Sequence, residues 1–424
     1  MSTGTTNTAR DDLAAATGPD HLREATDRDA VGGVQPRWVA EVDGTERAAA
    51  VLRAAAANDL TVVPRGAGTK TTWAGPPHSA DVVLDLSRAN AVLEHAAGDL
   101  VLRAQAGTPL SEIQRVARTA GQQLAIDQPL LAATAGGVIA TNTSGPGRHL
   151  FGGIRDLLIG ITVVRADGTP TTSGGKVVKN VAGYDLGKLY TGSYGTLGVI
   201  TEATFRLHPL AEDHRWITLT APDAATADHA VTTLRASQQV PTAIELDQPS
   251  PDGPIAVSAQ LEGRATVTEN RTRQLADLLA QRTGVPAETT GTAPDWWGHY
   301  PFDPVEGIGL RLGAAPAQLS TMLEGARHAS RSTGVPLALR GAAGWGVLHA
   351  AAPADTDPAA AAELVAALRG RADYVALVCG PQQVHAALDP SGAVDSGALT
   401  LMRRVKDQFD PDHRLAPGRF VGGI

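Results

Sequence analysis

Val62-Val63-Pro64-Arg65-Gly66-Ala67-Gly68-Thr69 sets a glycine-rich loop directly after a short apolar strand. Glycine lets the backbone approach a ligand closely and adopt positive φ, and successive N–H groups form an anion-binding nest suited to a pyrophosphate. Taken alone, the loop also fits a simple tight turn, because Gly-x-Gly-x-x-Thr is not the Rossmann fingerprint and no long helix obviously starts after it. Two further segments shift the balance. Ala133 to Pro146 joins Thr134, Gly136-Gly137, Thr141 and Ser144-Gly145 around a short apolar turn, which suits either polar contacts to a bound molecule or a surface loop. Gly174 to Leu186 then runs into Gly192-Ser193-Tyr194-Gly195-Thr196-Leu197-Gly198-Val199-Ile200. Three such segments in one half of the chain are hard to explain as turns alone. Together they predict a backbone surface wrapped around one extended ligand.

The elements around these loops read as α/β. Thr45 to Asn58 is alanine-rich and predicts a helix, and Leu60 to Val63 a buried strand. Val82 to Leu86 and Leu100 to Ala104 predict strands, followed by a helix that opens at Thr108, with Pro109 at its first position, and closes near Gly121. Ile159 to Arg165 predicts a strand, with Asp167-Gly168 turning into its partner, and Val199 to Leu207 alternates as a closing strand. Residues 1–36 are polar, and the first twenty are expected to be mobile. Charged residues Glu212 to Arg215 mark a junction near 212. Beyond it, from 213 to 398, strands alternate with alanine-rich helices, predicting a sheet covered by helices on one face. Residues 399–424 form a closing segment.

A chain of 424 residues with net charge −8 argues against nucleic acid and against a polybasic membrane surface. Its five lysines include Lys176, Lys179 and Lys188 in one glycine-rich segment, either an anion site or a solvated loop. Cys379 is the one cysteine, which excludes an internal disulfide and a protein-ligated iron–sulfur cluster. It sits in the apolar run Tyr374 to Val378 and reads as a buried structural thiol. No secretory leader and no 18-residue apolar span stands out, so a cytoplasmic protein is expected, with no membrane insertion. Asp295 to Phe302 concentrates aromatics, reading as packing under a second domain or as the lining of a substrate mouth.

The three glycine segments, in this order and spacing, resemble the FAD-binding domain of the vanillyl-alcohol oxidase and p-cresol methylhydroxylase superfamily, especially its glycolate oxidase and D-lactate dehydrogenase branch. Lys179-Asn180-Val181-Ala182-Gly183-Tyr184-Asp185-Leu186 is the most specific match. The tail from Leu401 through Phe409-Asp410-Pro411 to Pro417-Gly418-Arg419 resembles that branch's closing signature. The resemblance implies an α+β fold in which two α/β subdomains (37–212) hold FAD, an α+β cap follows, and the C-terminal segment returns to the flavin domain. It implies that Pro64, Arg65, Gly66, Ala67, Gly68 and Thr69 cradle the pyrophosphate. Thr134, Gly136, Gly137, Thr141, Ser144 and Gly145 would flank the dinucleotide, and Gly195, Gly198, Val199 and Ile200 would pack close to it. Some relatives tether the flavin through a histidine in or beside the first loop. None lies between Leu60 and Pro77, so non-covalent FAD is expected, with His149 near a second attachment point.

Hydroxy-acid dehydrogenases of this branch share a Gly-His-Ala-Gly-Asp-Gly-Asn-Leu-His motif. The corresponding stretch here, Gly341-Ala342-Ala343-Gly344-Trp345-Gly346-Val347-Leu348-His349, keeps only the last histidine, and one imidazole does not rebuild a metal site. A Ser-Gly-Glu-His segment of relatives has Ser391-Gly392-Ala393-Val394 as its nearest counterpart. The resemblance then implies an accessory flavin subunit of a glycolate oxidase complex, with a catalytic flavoprotein and an iron–sulfur subunit as partners, which could hold it at the inner face of a membrane. A 2-hydroxy acid is the expected small-molecule substrate, no metal is expected, and Arg340 and His349 are the candidate catalytic groups. A stand-alone FAD dehydrogenase and a non-catalytic scaffold are the competing readings.

Overall fold

The computed structural model describes residues 3–127, 129–130, 132–176 and 183–424. Lys179 and the first part of the run quoted as most specific therefore lie outside the described residues. The chain opens on helix α1 (Thr3–Thr17), and its Ala9, Leu13 and Thr17 are buried. The N-terminal stretch expected to be mobile is thus docked. One apolar residue per turn, on an otherwise polar sequence, is enough to seat it on α2 (Thr45–Ala57), where Arg47 donates to the Thr17 carbonyl at 2.5 Å.

Strands β1 (Leu22–Glu24), β2 (Trp38–Glu41), β3 (Val62–Arg65) and β4 (Val82–Asp85) form a sheet in the order β1-β2-β4-β3, with β2, β4 and β3 parallel. A second, antiparallel sheet is ordered β5-β6-β10-β8-β9. Its strands are β5 (Val92–Ala96), β6 (Val101–Gln105), β8 (Leu158–Val164), β9 (Pro170–Gly174) and β10 (Val199–Arg206). A two-residue clasp joins β7 (Gln122–Gln123) to β11 (His208–Pro209). Helix α2 buries Ala48, Ala49, Val51, Leu52 and Ala55 on one stripe, contacting both β8 and β10, so a single apolar cluster welds the two sheets. The helix expected to open at Thr108 is α3 (Leu110–Arg118), with Pro109 just outside it. Short helices α4 (Ala135–Thr141), α5 (Arg148–Phe151), α6 (Ile154–Leu157) and α7 (Leu186–Tyr190) carry the chain between strands.

The second half is one antiparallel sheet of eight strands. These are β12 (Asp213–Ala221), β13 (Ala243–Gln248), β14 (Ile255–Gly263), β15 (Ala287–Thr290), β16 (Ile308–Gly313), β17 (Ala338–Ala342), β18 (Val347–Ala352) and β19 (Tyr374–Cys379). Helices α8 (Ala224–Ala236), α9 (Ala265–Thr283), α10 (Leu319–Thr333) and α11 (Pro358–Arg369) pack on one face, and alternate residues such as Leu246, Leu310, Leu312, Leu348 and Ala350 join their core. Period-two alternation puts the intervening residues on the opposite face. There Asp247, Arg340, His349 and Arg311 stand in one row, each opposite the next across β13, β17, β18 and β16.

After α12 (Gln382–Ala387), helix α13 (Ser396–Phe409) returns to the first half. The tail extends the parallel sheet beside β3: Val62 N–H donates to Arg414 O at 2.8 Å and Ala416 N–H to Val62 O at 2.9 Å. Lys406, fully buried, pins this return by donating to Thr196 O at 2.8 Å, Leu415 O at 2.9 Å and Asp410 at 2.6 Å. Cys379 is fully buried against Gly307 O, and burial pushes its thiol up to about 12. That is the inert structural role its apolar run implies.

Candidate functional site

The principal cleft of the described residues opens between the two sheets of the first half and encloses about 760 Å³ of non-atom space including its mouth, within the roughly 300–1,000 Å³ of small-molecule sites. Its walls come from the three glycine segments. Pro64, Arg65, Gly66, Ala67, Gly68 and Thr69 form one, Thr134, Gly136, Gly137 and Thr141 a second, and Gly195, Gly198 and Ile200 a third. Ser144, Gly145 and Val199, expected among them, are absent from the lining. Ser144 accepts from Ile154 N–H at 3.2 Å, and a Cβ on Gly145 would lie 1.8 Å from Asp127 O, so that pair holds a loop crossing. Val199 is a fully buried strand residue, pointing away by alternation from Ile200.

The glycines are required by close approach. Gly68 and Gly195 have φ of +74° and +80°, and a Cβ on Gly195 would sit 2.5 Å from Pro64 Cγ. A Cβ on Gly66 would lie 2.2 Å from Thr134 Oγ1, the oxygen that accepts from Gly137 N–H at the start of α4. Gly66→Ala must displace that hydroxyl, and we expect it to lower unfolding free energy by about 1–3 kcal/mol. An unchanged urea midpoint would show that loop and helix do not meet.

Arg65 lines the cleft, but its guanidinium is spent on Asp29 at 2.9 Å and Asp85 at 2.7 Å, tying the loop to the sheet below. The charges aimed at the cleft come from residues that pattern reading missed. Lys70 is 8% exposed, with a long 3.4 Å contact to Thr143 and no salt bridge among the described residues, and burial holds its ammonium down at about 7. Arg419, 6% exposed, donates to Trp73 O at 2.7 Å and Thr71 O at 3.3 Å, with Nε unpartnered, and burial lowers it to about 10. Lys70 directly follows the first loop and Arg419 ends the quoted tail, so both were adjacent to recognised segments. Of the lysine group, Lys176 pairs with Glu94 at 2.5 Å, and Lys188 reaches Arg155 O and Asp185, so neither serves the cleft.

The polar face of the eight-stranded sheet carries a further cluster. Arg340 is paired to Asp247 at 2.7 Å and donates to Tyr300 O at 3.4 Å, so this expected catalytic candidate is already neutralised. His349 meets the Tyr300 ring edge-on at 4.9 Å, and burial, with Arg311 and Arg148 adding to it, holds the imidazole down at about 3, neutral. Tyr300 also stacks on Phe302 at 5.1 Å and meets Trp73 at 5.6 Å. The aromatic run thus packs between the eight-stranded sheet and the segment after the first loop. Glu245, 4% exposed, has Oε1 without a partner. Burial pushes its carboxyl up to about 8, Asp127 raises it further, and Arg148 and Arg340 oppose. His149 Nδ1 is buried without a partner, and His149 is not in the cleft lining. Among the described residues no three His, Cys, Asp or Glu are grouped to hold a metal ion, and no helix is long and apolar enough to cross a membrane.

Residues 36–174 match a family described as an FAD binding domain. The chain is 34% identical over 171 residues to glycolate oxidase subunit GlcE of Escherichia coli and 32% identical over 208 residues to glycolate oxidase subunit GlcD of Bacillus subtilis. It is 32% identical over 207 residues to a D-lactate dehydrogenase of Archaeoglobus fulgidus. Those alignments take in 40%, 49% and 49% of this chain and 48%, 44% and 46% of the relatives, so the chain spans about half the length of the curated relatives it matches. Among solved structures, p-cresol methylhydroxylase aligns with a TM-score of 0.77 at 16% identity over 99% of this chain and 97% of that one. Alkyldihydroxyacetonephosphate synthase aligns with a TM-score of 0.72 at 18% identity over 99% and 86%. These structural likenesses show the fold.

Proposed function

Because the chain carries an FAD-binding domain of the p-cresol methylhydroxylase and vanillyl-alcohol oxidase type, we propose that it is the flavin-holding subunit of an oxidoreductase complex that acts on a small 2-hydroxy acid such as glycolate. The observation that carries this reading is the cleft itself. Glycine backbone from three distant segments converges there with Lys70 and Arg419, two buried basic groups without a carboxylate partner among the described residues, so the walls suit a long ligand that brings negative charge. The loop of residues 64–69 would hold the pyrophosphate and the α4 and Gly195–Ile200 walls the rest of the dinucleotide. Bound there, FAD supplies a hydride acceptor for an alcohol carbon. Among the described residues no histidine or cysteine lines the cleft, which supports a flavin held without a covalent bond.

A single cysteine leaves this chain without ligands for an iron–sulfur cluster, and its cap retains one histidine of the motif shared by hydroxy-acid dehydrogenases. Both features support a division of labour with a catalytic flavoprotein and an iron–sulfur subunit. Purified chain is expected to be yellow, to release its flavin on acid precipitation, and to stay oxidised when glycolate or D-lactate is added without oxygen. Colourless protein that takes up no added FAD would end the flavin assignment. Rapid bleaching by either acid would make the chain a self-sufficient dehydrogenase.

A further inference from the structure

Lys70 is the lysine of the cleft wall, directly after the 64–69 loop, and it is 8% exposed. Among the described residues its Nζ makes one hydrogen bond, to the neutral hydroxyl of Thr143 at 3.4 Å, and it lies 5.7 Å from the centre of the Trp73 ring. Trp73 is itself packed on the second half of the chain, its Nε1 donating to Pro304 O at 3.1 Å and its ring meeting Tyr300 at 5.6 Å. The amine is therefore backed by an aromatic wall and open only towards the cleft. A hydroxyl and a ring face do not replace the hydration of an ammonium ion, so burial without an anion favours the neutral amine. Burial holds this one down at about 7.

The groups on the elements around Lys70 leave it uncompensated. Arg65, on the first loop, is already paired with Asp29 and Asp85. The α4 residues of the lining, Gly136, Gly137, Ala140 and Thr141, do not titrate. Tyr194, on the third wall, stays protonated, because burial pushes its phenol above the usual 10. From the tail comes a second cation, Arg419, which donates to the carbonyls of Thr71 and Trp73. The segment of Pro304 brings Asp303 and Glu306, both exposed, and the Asp303 carboxylate accepts from the N–H groups of Val305 and Glu306. From α12 comes His385, whose imidazole burial holds below its usual range. The missing counter-charge is an anion inside the cleft. One negative charge at about 8 Å, at an effective dielectric of about 20, favours ammonium over amine about thirtyfold, and a pyrophosphate brings two.

We propose that Lys70 Nζ takes up a proton from solvent as the pyrophosphate of the dinucleotide enters the cleft, so that flavin is held tightly at neutral and lower pH and is released as the medium becomes alkaline. This rests on the flavin reading of the cleft and adds what regulates its occupancy: one buried amine whose proton belongs to the bound complex. Arg419, lowered only to about 10, stays charged through the neutral range and supplies a fixed attraction, whereas Lys70 makes the attraction depend on pH.

The full chain, freed of flavin by dialysis against concentrated salt, is titrated with FAD by calorimetry in two buffers of different protonation enthalpy, which counts the protons exchanged. More than about half a proton is expected to be taken up per FAD at pH 8 and close to none at pH 6, with a dissociation constant about tenfold or more higher at pH 9 than at pH 6. Lys70→Met is expected to lose the uptake, to bind FAD at least tenfold more weakly at pH 6 and to flatten the dependence on pH. Lys70→Arg, whose charge is fixed, is expected to bind FAD without proton uptake and with the same flat profile. Each variant is read as its difference from the unmodified chain, which removes the contribution of other titrating groups. FAD binding with no uptake at pH 8, or uptake that persists in Lys70→Met, overturns the proposal and leaves the flavin assignment standing. A chain that binds no FAD overturns the flavin assignment, and ADP-ribose, which carries the same pyrophosphate, then decides Lys70 by the same count: uptake lost in Lys70→Met sustains the proton-taking amine, and absence of uptake or of binding overturns it.

Discussion

Lys406→Met is expected to cost about 3–5 kcal/mol of folding stability, the penalty for removing one member of a buried ion pair. Lys406 and Asp410 are both fully buried, 2.6 Å apart on successive turns at the end of α13. Methionine fills much of the lysine stem's volume, so the loss is chiefly electrostatic. Asp410 would still accept Arg414 N–H at 3.0 Å and Leu415 N–H at 2.7 Å, but would keep a negative charge with no cation beside it. The carbonyls of Thr196 and Leu415 would lose their donor as well. Asp410→Asn in the same chain removes the stranded charge and should recover a large part of the loss. Urea unfolding measures all three proteins, and a loss below about 1 kcal/mol for Lys406→Met would show that water reaches the pair. Since Thr196 lies between Gly195 and Gly198 of the cleft wall, the single variant should also retain less flavin than the double one.

The parts of this architecture that sequence could reveal are those governed by local rules. Glycine spacing located the three walls because positive φ and close approach leave few other residues possible, as Gly195 against Pro64 illustrates. The alanine stripe of α2 and the alternation of β10 were legible for the same reason. The N-terminal helix was hidden because Ala9 and Leu13 are too few to form a visible stripe and gain their burial from α2. The charged groups of the site were the least legible. Arg65 and Arg340 looked available in the sequence, yet each is consumed by an aspartate 20 or 93 positions away. Arg311 was readable only in part: between Leu310 and Leu312 it is the lone charge of an alternating strand, but which face looks towards the flavin half depends on where four helices pack. Long-range pairing decides which cations are free, and no local pattern encodes it.

Glu245→Gln is expected to remove a contribution to stability that falls by about 2 kcal/mol between pH 6.5 and pH 8, read as the difference between the unmodified chain and the variant. Burial raises the Glu245 carboxyl from an ordinary 4.5 to about 8, so the native state keeps a proton that the unfolded chain releases above 4.5. That contribution is complete below 4.5 and is lost as pH rises through about 8, at about 1.4 kcal/mol per pH unit. His349 works in the opposite direction. Its imidazole is held down at about 3 against 6.5 in the unfolded chain, so its contribution is complete above 6.5 and is lost as pH falls towards 3. Between 4.5 and 6.5 the two slopes cancel; above 6.5 His349 no longer contributes, while Lys70, held down at about 7 against 10.5, adds a rise above pH 7 and His214, raised beside Glu262, adds a fall, so Glu245 is read as the difference between the unmodified chain and the variant. Asp127, Arg148 and Arg340 are the charges that act on it, one raising and two lowering its proton affinity. Urea unfolding at the two ends of the window, on the unmodified chain and the variant, decides the matter, and an equal change in both would place the titrating group elsewhere.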